Sequence, residues 1–150
     1  MPDPAARARE IIDSNQYLTL ATADAQGRPW ASPVWFARGG DRQFLWVSKP
    51  DARHSRNVAS RPEVAIVVFD STVALGTGGA VYAEAAAARL DGPDADGPIE
   101  AFSRRSLECG GRAWTPDDVG PSAALRLYRA TASSLFILGE NDERIAVDLA

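Results

Sequence analysis

Apolar positions near the start of the chain recur at helical spacing. Ala8, Ile11 and Ile12 fall on one stripe, Asp3 stands where an N-cap belongs, and Pro4 occupies the first helical position. The pattern predicts a short amphipathic helix over residues 3–15. From Tyr17 the period changes. Two runs rich in β-branched and aromatic residues, 17–23 and 30–36, flank the polar turn Asp24-Ala25-Gln26-Gly27-Arg28 and predict a hairpin. A second turn, Arg38-Gly39-Gly40-Asp41, leads into a third strand over 43–48. Residues 50–60 are polar and stop at Arg61-Pro62, as a short helix does. Residues 63–69 are a continuous β-branched run, which predicts a strand buried on both faces at the centre of the sheet.

The second half is less regular. In residues 80–90 Val81 and Tyr82 favour strand while Ala85 to Ala88 favour helix, and the preceding turn Gly76-Thr77-Gly78-Gly79 decides for strand. A loop over 91–98 precedes an amphipathic helix over 99–109, closed by Gly110-Gly111. Three strand-like stretches follow, 124–130, 134–138 and 144–149. About seven strands in hairpin order with two or three short helices predict a mainly β chain, a small antiparallel barrel with helical inserts.

Composition narrows the class. At 150 residues, 45% apolar and 24% charged, the chain fits one domain over 1–150 with a core large enough to need no disulfides. Cys109 stands alone, so no internal disulfide forms, and with His54 the lone histidine a structural zinc site is not expected. The net charge of −4 argues against a dedicated nucleic-acid binder. No run approaches the roughly 18 apolar residues of a membrane span, and the N-terminus lacks a signal-peptide core, so a cytoplasmic location is expected.

Charge distribution marks the place where chemistry is expected. From Lys49 to Pro62, Lys49, Arg53, Arg56 and Arg61 stand against Asp51 alone, a net +3 inside an acidic chain, with Ser48, Ser55 and Asn57 as neutral donors. A strand end followed by a short helix carrying Arg and His suits a terminal phosphate, because guanidinium forks and helix-terminal N–H groups both favour a dianion. A solvated basic helix face is the other reading of the same residues.

The strings YLTLATADAQGRPWASPVWF, FLWVS and DARHSRNVASRPEVAIVVFD, in that order, resemble the pyridoxamine 5'-phosphate oxidase-like FMN-binding split-barrel family over residues 15–70. The resemblance implies an antiparallel split β-barrel and a flavin-dependent oxidoreductase that passes hydride to or from a small molecule. It lays the flavin ring along Ser32, Pro33, Val34 and Trp35. It places the FMN phosphate at the strand end, Val47, Ser48 and Lys49, and at Arg53 with His54, where His54 replaces the family's usual lysine. Asn57 is expected to brace the helix at that site. It also implies a homodimer with the cofactor between subunits, for which Trp30, Trp35, Trp46 and Trp114 are candidate anchors.

The end of the chain, SSLFILGENDERIAVDLA, lacks the Arg-x-His pair of the vitamin-forming oxidase, so pyridoxamine phosphate is not the expected substrate. Two alternatives stay open: a deazaflavin (coenzyme F-420) reductase, whose polyanionic tail would suit Lys49, Arg53 and Arg56, and a flavin or haem carrier or sensor without turnover, with His54 as the haem ligand. No catalytic residue and no metal ligand set is assigned. GTGG at 76–79 lacks the Lys-Ser/Thr of a P-loop, no G-x-S-x-G elbow occurs, and Cys109 has no histidine at motif spacing.

Overall fold

The structure, a computed structural model, describes residues 3–149. Helix α1 (Pro4–Ser14) starts where the sequence marks it: the Asp3 carboxylate accepts from the Ala6 backbone N–H at 3.1 Å, and Ala8, Ile11 and Ile12 are buried. Eight strands follow in one antiparallel sheet: β1 (Tyr17–Ala23), β2 (Pro29–Trp35), β3 (Ala37–Gly40), β4 (Gln43–Ser48), β5 (Glu63–Phe69), β6 (Ala80–Leu90), β7 (Arg126–Leu138) and β8 (Arg144–Val147). Helix α2 (Arg53–Ser60) lies between β4 and β5, and α3 (Asp96–Glu108) between β6 and β7.

The hydrogen-bonded order is β2-β1-β5-β6-β7-β4-β3, with β8 beside β7, and the sheet curls into a half-barrel. The antiparallel, mainly β architecture is the one the sequence predicts. Three details differ. Residues 124–130 and 134–138 are parts of one long strand, β7, in which a register shift opposite Glu84 and Ala85 leaves Ser133 as an extra residue. Gly39 and Gly40 belong to β3 rather than to a turn; a side chain at Gly39 would stand 3.1 Å from Leu45, so the glycine admits a close approach across the β3–β4 pair. Strand β5 alternates buried and exposed positions instead of being buried on both faces, and it lies between β1 and β6.

Alternation in β4 gives the molecule two cores. Phe44 and Trp46 point into the barrel with Leu18, Leu20, Ile66 and Val68, while Leu45 and Val47 point the other way, toward Ile99 and Phe102 of α3. The second core fixes α3 against the outside of the sheet, and the site lies where it meets β2. Among the described residues no helix is long and apolar enough to cross a membrane.

Candidate functional site

Three elements converge on a cavity of about 450 Å³. Strand β2 supplies Pro33, Val34 and Trp35, the end of β4 supplies Val47 and Ser48, and the first turn of α2 supplies His54. Opposite them stand Phe102, Ser106 and Cys109 of the α3 end, with Trp114 just beyond. The volume falls within the range of small-molecule sites.

The aromatic wall is self-supporting. Trp35 meets Phe102 edge-on with centroids 5.2 Å apart, and Phe102 meets Trp114 in the same way at 5.4 Å. Such pairs contribute about 0.5–1.5 kcal/mol each beyond area burial. Polar contacts orient the two indoles: Trp35 Nε1 donates to Gln16 Oε1 at 3.0 Å, and the Trp114 backbone N–H donates to Ser103 Oγ at 2.8 Å. The Arg112 guanidinium lies 3.7 Å from the centroid of the Trp114 ring.

The polar side of the cavity is a pair. His54 Nε2 and Ser48 Oγ are 2.8 Å apart, and His54 is half-buried. Burial pushes the imidazole below its ordinary value, so the ring is neutral at pH 7. No lysine, arginine, aspartate or glutamate lines this cavity among the described residues. Among the described residues no group of three or more His, Cys, Asp and Glu is placed to hold a metal ion by side chains alone.

Of the residues singled out from sequence, Pro33, Val34, Trp35, Val47, Ser48 and His54 meet in the cavity. Ser32, Lys49, Arg53 and Asn57 do not line it. Lys49 is exposed at the strand end. Arg53 lies with its guanidinium 4.1 Å from the Trp30 ring centroid and faces a separate groove. Neighbours on a helix diverge by about 100°, so Arg53 and His54 point to different places. Asn57 is buried and donates from Nδ2 to Thr22 Oγ1 at 3.0 Å, bracing α2 against β1.

Sequence reasoning missed the α3 wall. Ile99, Phe102 and Ser106 share the buried face of that helix, and a serine on an apolar stripe was the visible sign that this face meets more than core. Cys109 lines the same cavity as His54 although 55 positions separate them in the chain.

Comparison with known proteins agrees with the fold. A family model described as Pyridoxamine 5'-phosphate oxidase matches residues 5–127. Haem oxygenase HutZ of Vibrio cholerae is 37% identical over 62 residues, 41% of this chain and 35% of that protein. The pyridoxine/pyridoxamine 5'-phosphate oxidase of Anaplasma marginale is 34% identical over 89 residues, 59% of this chain and 39% of that protein. The matched segments therefore span well under half of either curated relative. Among solved structures, HutZ, described as the haem storage protein from Vibrio cholerae, superposes with a TM-score of 0.70 at 23% identity, covering 88% of this chain and 92% of that one. A haem-binding protein from Mycobacterium smegmatis gives 0.72 at 21%, covering 98% and 58%.

Proposed function

From the premise that the chain belongs to the pyridoxamine 5'-phosphate oxidase family, we propose that it is a haem-binding member, holding the planar tetrapyrrole in the cavity between the aromatic wall and His54. The observation that carries this is the placement of His54: a half-buried imidazole lining the cavity, with Nε2 2.8 Å from the Ser48 hydroxyl and burial disfavouring its charged form. Iron takes a neutral imidazole, and metal-bound histidines nearly always give their other ring nitrogen to a second-shell partner. In the tautomer in which Nε2 donates to Ser48 Oγ, Nδ1 keeps its lone pair for iron, and Nδ1 has no hydrogen-bond partner among the described residues. The aromatic and apolar lining suits a flat macrocycle, and the relatives named for haem oxygenation, storage and binding favour the same ligand. A bound haem supplies redox and ligand-exchange chemistry at iron. The chain's own residues bind and orient it: Ser48 fixes the imidazole, and Trp35, Phe102 and Trp114 exclude water. Among the described residues no carboxylate lines the cavity, and turnover is not part of the proposal.

FMN is the second candidate, as the cofactor of an oxidoreductase. It is favoured by the meeting of Ser48 with His54 beneath Pro33 to Trp35, where the resemblance lays the phosphate and the ring, and by the oxidase relative. Against it, a phosphate dianion there would meet a neutral histidine and no guanidinium, since Arg53 is turned away. The deazaflavin alternative meets the same difficulty at Lys49, Arg53 and Arg56. A homodimer that completes the site remains part of the proposal, because β2 is an edge strand exposed along most of its length and carries Trp30 and Pro33 at its surface.

Titration of the purified protein with hemin and, separately, with FMN tests the reading. A Soret band saturating at about one hemin per chain is expected, and His54→Ala is expected to weaken it at least tenfold. FMN binding tighter than hemin, or hemin binding unaltered in His54→Ala, would overturn the haem assignment.

A further inference from the structure

Helix α2 borders a second cavity on a face turned away from the one that carries His54. The cavity holds about 400 Å³ between α2, the end of β6 and Tyr128 of β7. Ser55, Val58 and Ala59 supply the helix side at the i, i+3, i+4 spacing of one stripe, and Ser55 stands about 100° around the helix from His54. The opposite wall accounts for a run that strand propensity does not. Ala85 to Ala88 disfavour the strand they form, and at Ala87 and Ala88 the shortest chiral side chain leaves room beside α2.

Two polar groups in this place have no partner. Ser55 is 2% exposed, and its Oγ is buried without a hydrogen bond. Tyr128 is 3% exposed, and its hydroxyl makes no hydrogen bond among the described residues. Its ring is stacked on Trp46 with centroids 6.0 Å apart and 9° between planes, so the hydroxyl has a fixed place. A buried hydroxyl without a partner costs stability, and folded proteins keep one where something else supplies the bond. The rest of the lining is apolar at Pro50, Val58 and Pro62, and the charges at the mouth, Arg89 and Asp91, pair with each other at 3.0 Å. What fits is an uncharged molecule with an apolar body and a hydroxyl. The body displaces water from proline and alanine, and the hydroxyl both donates and accepts, which is what Ser55 and Tyr128 lack.

We propose that this cavity is a binding site for a small uncharged alcohol or phenol, held through Ser55 and Tyr128. It is separate from the aromatic cavity and does not rest on the haem reading.

The test is titration of the full chain with phenol, followed residue by residue in amide proton–nitrogen correlation spectra, with toluene as the analogue that carries a methyl group in place of the hydroxyl. Phenol is expected to shift the amides of Ser55, Ala59, Ala87 and Tyr128 saturably and to bind about tenfold tighter than toluene. Ser55→Ala and Tyr128→Phe each remove one oxygen. Both are expected to weaken phenol severalfold while the urea midpoint holds or rises, because the free chain loses an unpaired buried hydroxyl. Ala59→Leu, at an exposed position on the mouth, is expected to block phenol with an unchanged circular-dichroism spectrum. No shift by phenol in wild type, equal binding of toluene, or wild-type affinity in both hydroxyl variants overturns the site. Shifts centred on Phe102 and Trp114 put the phenol in the aromatic cavity and overturn it as well. A lower urea midpoint in both hydroxyl variants overturns the reading of their oxygens as unpartnered.

Discussion

Burial of His54 gives its titration a sign that can be measured. Its value in the folded chain lies below the ordinary 6.5, because desolvation disfavours the imidazolium. Above about pH 6.5 the ring is neutral in both folded and unfolded chains and contributes no pH dependence. Below that, the unfolded chain takes up the proton first, so stability falls until the folded ring protonates as well. Urea midpoints between pH 7.5 and pH 5 should therefore drop more in wild type than in His54→Ala. Asn57 gives a second expectation at this scale. Asn57→Ala removes its bond to Thr22 and leaves a buried hydroxyl with less support, at a cost of about 1–3 kcal/mol in urea unfolding. Ser48 and His54 were reached through the family resemblance, which expects a hydroxyl at that strand end and a basic pair at the start of the helix. The sequence could not separate Arg53 from His54, because a string of letters carries no angle.

At the scale of elements, hydrophobic period was a good guide where it was uninterrupted. Helix α1 and strands β1, β4, β5 and β6 fall where their patterns place them. Strand β7 broke into two on reading because Ser133 and Ser134 interrupt its apolar alternation, whereas in the sheet the bulge absorbs the extra residue. Strand β3 was hidden because Gly39 and Gly40 look like turn residues, yet the chain reverses at Asp41 and Arg42 and the glycines serve packing. Helix α3 was legible as a helix but not as a cavity wall, since its partners Trp35 and Trp114 come from distant segments. Phe102 joins those two rings and is nearly fully buried. Phe102→Ala should cost about 3–5 kcal/mol in urea unfolding and weaken hemin binding.

For the whole molecule, neighbouring strands in sequence are neighbours in the sheet at β1–β2, β3–β4, β5–β6, β6–β7 and β7–β8, which is why hairpin order sufficed to name the architecture. The pairings β1–β5 and β4–β7 were out of reach, because nothing local marks a partner so far along the chain. Ligand linkage is read at this scale too. A ligand bound only by the folded chain adds about 2.7 kcal/mol at a hundredfold excess over its dissociation constant, so hemin should raise the melting temperature of wild type and raise that of His54→Ala far less. The β4–β7 pairing has a further consequence, for synthesis. Residues 43–48 must wait for residues 126–131 before their second edge is hydrogen-bonded, so a chain emerging N-terminus first from the ribosome displays His54 and Ser48 long before either has a cavity around it. On the haem reading, ligand loading is thus a late event in the life of the nascent chain, and a ribosome stalled before β7 is complete would hold a polypeptide that has its imidazole but no pocket.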